Sequence, residues 1–103
     1  MRVMIRFSFP VESGNEIVSS GKINRIFQSL LEDLKPEAAY FYPENGQRGG
    51  LLVVNMTDSS DVFKMLEPIW LGIKADVTVT PVMNGEDLQK GLSGIAGIVK
   101  RYA

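Results

Sequence analysis

The sequence predicts a single α+β domain over residues 1–103, a four-stranded antiparallel sheet with two crossover helices on one face. Three observations predict it. Apolar residues alternate with polar ones in short runs and recur at helical spacing between those runs. The two patterns follow one another in the order βαββαβ, with one further helical stretch at the end. An Asn45-Gly46 pair separates the second and third extended runs, the strongest local hairpin signal in the chain.

The elements follow in order. Arg2 to Phe9 places Val3, Ile5, Phe7 and Phe9 on one face and Met4, Arg6 and Ser8 on the other, a half-buried strand that Pro10 ends. The polar stretch Glu12-Ser13-Gly14-Asn15 then leads into a helix. Its buried stripe is Ile23, Ile26, Phe27, Leu30, Leu31 and Leu34. Ser19-Ser20-Gly21 has poor helix propensity, so a kink or a late start is expected near residue 20, and Lys35-Pro36 stops the helix. Ala38 to Tyr42 and Gly49 to Met56 are the hairpin strands. Asp58-Ser59-Ser60-Asp61 has the form of a capping box, and Val62, Phe63, Leu66, Ile69 and Trp70 give the next helix its apolar face. Pro68 is expected to kink or end that helix, with Gly72 as its cap. Ile73 to Val82 alternates as a fourth strand. Asn84-Gly85-Glu86-Asp87 caps a last helix striped by Leu88, Leu92, Ile95, Val99 and Tyr102, which Gly91, Gly94 and Gly97 weaken and which therefore needs a partner surface.

Short right-handed crossovers turn this order into the ferredoxin-like plan, strand order 4-1-3-2. Its helices cover one side of the sheet only. The other side carries Met4, Arg6, Ser8, Asp76, Thr78 and Thr80, with one face each of strands two and three. Those faces are Tyr40 and Tyr42 or Ala39 and Phe41, and Leu51, Val53 and Asn55 or Leu52, Val54 and Met56. Either register leaves apolar side chains uncovered, and large uncovered patches mean contact. The expectation is a homodimer, two sheets face to face around a partly polar lumen.

Composition narrows the chemistry. Eleven Lys and Arg against twelve Asp and Glu give a net charge of −1, without the footprint of a nucleic-acid binder. Strand three also lacks the aromatics with which this topology stacks RNA bases. No Cys and no His are present, which excludes disulfides, thiolate and imidazole metal sites, and His-based triads. Asp58 and Asp61 are better read as capping groups than as metal ligands, and no cofactor is expected. Gly14 to Lys22 has the wrong glycine spacing for a phosphate loop, and Ser19-Ser20-Gly21-Lys22 lacks the companions of a Ser-x-x-Lys site. No apolar run approaches the roughly 20 residues of a membrane span, and Arg2 and Arg6 interrupt any leader-like segment, so no membrane partner and a cytoplasmic location are expected.

The candidate site lies on the uncovered face. Arg6 sits mid-strand in a central element, so its guanidinium must be paired or must face water. One reading is a cross-strand ion pair with Asp76; the other is a lumen guanidinium that grips a carboxylate or phosphate. Tyr40 and Tyr42 share a strand face, to pack at a dimer interface or to line a pocket for a planar ligand. Asn55 either hydrogen-bonds a ligand or starts the turn into the next helix. Arg48 and Glu37 are possible rim residues, with a salt bridge at the hairpin end as the plain alternative.

Several segments together resemble a known group. They are Lys35-Pro36-Glu37-Ala38-Ala39-Tyr40-Phe41, Gly46-Gln47-Arg48-Gly49-Gly50, Glu67-Pro68, Pro81-Val82-Met83 and Glu86-Asp87-Leu88. They resemble a family of small uncharacterised bacterial proteins, similar to the dimeric α+β barrel superfamily that includes muconolactone isomerase and antibiotic-biosynthesis monooxygenases. The resemblance implies a ferredoxin-like homodimer and no particular activity. The histidines that some of those enzymes use are absent here. Three functions follow as expectations. The first is a homodimer that binds a small anionic or aromatic ligand. The second is a cofactor-independent isomerase or monooxygenase with Asp76, Tyr40 or another non-histidine group tuned by burial as base. The third is a structural module that docks another chain through the terminal helix.

Overall fold

A computed structural model describes residues 1–103. The order is β1 (Arg2–Phe9), α1 (Val11–Ser19), α2 (Lys22–Leu34), β2 (Ala38–Glu44), β3 (Gln47–Asn55), α3 (Asp61–Ile73), β4 (Asp76–Pro81), α4 (Gly85–Leu92) and α5 (Ala96–Tyr102). The four strands form one antiparallel sheet in the order β2-β3-β1-β4, the expected order read from the opposite edge.

The first crossover is two helices. The expected polar lead-in at Glu12 to Asn15 is itself helical, because Pro10 pre-sets the entry and the Gly14 amide donates to the Pro10 carbonyl at 2.9 Å. The chain breaks where propensity is lowest, at Ser20-Gly21, with Gly21 at φ 77°. Asn45 and Gly46 both have positive φ, 51° and 78°, which makes the hairpin turn the two-residue type that matches strand twist.

Helix α3 differs from expectation at both ends. Asp61 begins it, while Asp58 holds the preceding turn by accepting from the Ser60 amide and hydroxyl at 2.8 and 2.7 Å. Asp61 reaches back to the Asp58 amide at 3.2 Å, so only half of a capping box forms. Pro68 lies inside the helix and does not end it. The cap is Lys74, at φ 52°, rather than Gly72. Gly72 instead lets α2 and α3 approach, since a Cβ there would meet the Ile26 side chain at 3.0 Å.

The core lies between the sheet and α1–α3. Val3, Ile5, Phe7 and Phe9 of β1 and Leu52 and Val54 of β3 meet Ile17, Leu30, Leu66, Ile69 and Ile73. Register therefore puts Leu52 inward and Leu51 outward. Phe7, Phe27 and Phe41 close one end of this core, the last two with ring centroids 5.3 Å apart and edge-on.

The terminal stripe is split. Helices α4 and α5 part at Ser93-Gly94, where glycine leaves little to sustain one continuous helix, and neither has a buried residue. The molecule measures 59 × 27 × 21 Å. An eight-residue strand spans about 27 Å, so the long dimension belongs to this arm. Its radius of gyration is 17.1 Å, against about 13 Å for a compact chain of this length.

Candidate functional site

The uncovered sheet face is built row by row. Tyr40 of β2 stands opposite Leu51 of β3, Leu51 opposite Arg6 of β1, and Arg6 opposite Thr78 of β4. The next row is Ala38, Val53, Met4 and Thr80. On the other side lies Tyr42, Gly49, Ser8 and Asp76. Tyr40 is 64% exposed, while Met4, Tyr42, Leu51 and Val53 are half-buried by their neighbours. The outward residues of β3 are thus Gly49, Leu51 and Val53, none of them aromatic.

The expected Arg6–Asp76 pair does not form. Strand β4 does lie beside β1, but register places Thr78, not Asp76, opposite Arg6. The guanidinium turns the other way and pairs with Glu44 at the end of β2. It passes the row in which β3 offers Gly49, with no side chain in its path. Tyr42 first, then Glu44, hold the Arg6 pKa above its usual value, so the group stays cationic across the working range. Arg6, Ser8, Glu44, Asp76 and Thr78 line a polar depression of about 310 Å³. Asp76 thus shares the Arg6 site without pairing with it.

The remaining candidates lie elsewhere. Asn55 is at the opposite end of the sheet, where its Oδ1 accepts from the Met1 amine at 3.0 Å. Glu37 is also at that end and pairs with Arg2, which in turn pairs with Asp87. These carboxylates, Glu37 foremost, raise the Arg2 pKa. Arg48 and Glu37 do not form the expected salt bridge, because they sit at opposite ends of β3 and β2. Nor does Arg48 rim the uncovered face: it shares the inward parity of Gly50 and Leu52 and donates to Asn15 Oδ1 of α1 at 3.0 Å. Glu44 lies outside the strand expected at Ala38 to Tyr42, because β2 runs on through Pro43 to Glu44. Continuing the period of two through Tyr40 and Tyr42 reaches it.

The base of the arm is tied to this face. Asn84 and Asp87 form a complete capping box, with bonds of 2.8 and 3.1 Å, and Asp87 also accepts from Arg2. Beyond that anchor, Leu88, Leu92, Ile95, Ile98, Val99 and Tyr102 are all exposed.

A one-sided, ferredoxin-like α+β sheet with a charged and aromatic open face defines the structural class of this protein. Residues 1–96 match the family described as Domain of unknown function (DUF3303), and the chain belongs to that family. No curated protein matches it. None of its helices is long and apolar enough to cross a membrane.

Proposed function

We propose that the chain works as a homodimer in which two open sheet faces close on one another and bind a small anionic or aromatic ligand between them. The observation that carries this reading is the row Tyr40, Leu51 and Arg6, apolar surface and a fixed cation side by side on a face that no element of its own chain covers. Apolar side chains there gain by burial, and Arg6 beside Glu44 and Tyr42 supplies a directional donor to a carboxylate, phosphate or phenolate. The unburied arm supports the same reading. Helices of eight and seven residues are marginal in water, and a second copy would supply the surface they need. Binding is favoured over catalysis because the chain has neither His nor Cys; an isomerase or monooxygenase would rest on Asp76, Tyr40 or another non-histidine group as base.

Native mass spectrometry of freshly purified, untagged protein tests this. A dimer carrying extra mass is the expected result, and the mass assigns the ligand class. A clean monomer at micromolar concentration would overturn the facing-sheet dimer and favour a different protein as the cover of the open face.

A further inference from the structure

A second cavity lies on the opposite, helix side of the sheet. It is a groove of about 720 Å³ between α2 and the β2–β3 hairpin, within the range of small-molecule sites. Phe9, Ile23, Phe27, Leu31 and Phe41 make its apolar lining, and Arg48 stands at its hairpin end. The aromatic rings are braced against one another, Phe27 edge-on to Phe41 and tilted against Phe7. This wall is preformed.

Arg48 is the unusual member. Its guanidinium lies across Gly14 of α1, where a Cβ would come within 2.8 Å of Nη1, and Nη2 donates to Asn15. Its position is therefore set by two neighbouring residues of α1. The ion pairs of the molecule belong to Arg2 and Arg6, so Arg48 has no carboxylate partner. A half-buried guanidinium carries five donors in a planar fork, and only one meets a protein side chain here. An apolar trough that ends at a positioned, unneutralised cation is complementary to an apolar molecule with an anionic head.

We propose that this groove binds a small aliphatic or aromatic carboxylate, its chain against Ile23, Phe27 and Phe41 and its carboxylate on Arg48. The site does not depend on the dimer proposed above. Its apolar wall lies on the helix side of the sheet, and Tyr42 and Gly49 of the outer face reach it only at the hairpin edge, so it does not require facing sheets.

An amide-detected NMR titration of the full chain with octanoate, and with 1-octanol as its uncharged counterpart, tests this. Octanoate is expected to saturate with shifts at Phe27, Phe41, Gln47 and Arg48. It should bind at least about tenfold more tightly than 1-octanol, because a carboxylate meets the guanidinium with opposite charge and two acceptors where a hydroxyl offers one neutral acceptor. Arg48→Gln keeps a donor for Asn15, removes the charge, and should abolish that preference. Four results would each overturn the proposal: no saturation, equal affinity for the two probes, a preference that survives in folded Arg48→Gln, or shifts confined to Arg6, Tyr40 and Leu51. Shifts in α4 and α5 on adding octanoate would also overturn it, since they would assign the groove to the arm of a second copy. If Arg48→Gln does not fold, the octanoate to 1-octanol ratio on the unaltered chain decides alone.

Discussion

Neighbouring leucines of β3 provide the sharpest test of the architecture. Leu52 is 0% exposed and faces the helices, while Leu51 is half-buried and faces outward. Leu52→Ala removes side-chain carbons whose transfer from water is worth roughly 2 kcal/mol, and a cavity penalty adds to it. The surrounding residues Ile5, Val54 and Ile69 are themselves fully buried and tied into sheet or helix, so collapse into the void is limited. We expect a loss of about 3–4 kcal/mol. For a domain of this size that lowers the melting temperature by roughly 12–30 °C. Leu51→Ala costs about 1 kcal/mol or less in an isolated chain, because half of that surface already meets water. In a facing-sheet dimer it costs more, and the loss grows with protein concentration, since the substitution weakens association as well as folding. Thermal and urea unfolding at two protein concentrations read both effects. A Leu52→Ala loss below about 1 kcal/mol would refute the register described above. A Leu51→Ala loss that is small and independent of concentration would refute the dimer while leaving the fold intact.

Other expectations follow from single residues. Lys35 and Lys74 cap α2 and α3 at φ 46° and 52°, strained for side chains with a Cβ, so Lys35→Gly and Lys74→Gly should each add about 0.5–1 kcal/mol in urea unfolding; a loss would show that the lysine side chains hold those ends. Arg6→Ala should leave the secondary structure and melting temperature nearly unchanged, because its ion pair with Glu44 is exposed, yet should remove any anionic ligand retained in native mass spectrometry; global unfolding by circular dichroism would make Arg6 a structural residue instead. Asp58 accepts from the Ser60 amide and hydroxyl, which holds its pKa below the usual value. A depressed folded-state pKa contributes stability that is present above the ordinary Asp range, near 4, and is lost as pH falls through the lowered value. Asp58→Asn should therefore be less stable at neutral pH and lose less between pH 5 and about 2; stability curves parallel to those of the unaltered chain would refute the role.

Local pattern alone carries the four strands, their order and much of their punctuation, but it marks neither the helical segment Val11–Ser19 nor the division of the terminal stripe into α4 and α5. Alternation in Arg2–Phe9 and helical spacing in Ile23–Leu34 are local consequences of which side chains leave water, so they need no distant partner to be read. The Asn45-Gly46 turn and the Ser20-Gly21 break are likewise backbone preferences of the residues themselves. Pro68 shows the limit of such rules, because burial of Leu66 and Ile69 on either side carries α3 through it.

Which faces of β2 and β3 look outward follows from long-range pairing, not from local pattern. A strand that alternates Leu51, Leu52, Val53 and Val54 is apolar on both faces, and a shift of one residue would invert it without any change in local preference. Pairing with β1 removes the ambiguity, because Ile5 opposite Leu52 buries both. The same pairing decided the partner of Arg6. Proximity of strands made Asp76 the natural choice, but an ion pair depends on residue-level register, which put Thr78 in that place and left Glu44 within reach across Gly49. The groove at Arg48 is tertiary in origin as well. Phe9, Phe27, Phe41 and Arg48 come from four separate elements, and nothing in their spacing along the chain marks them as neighbours.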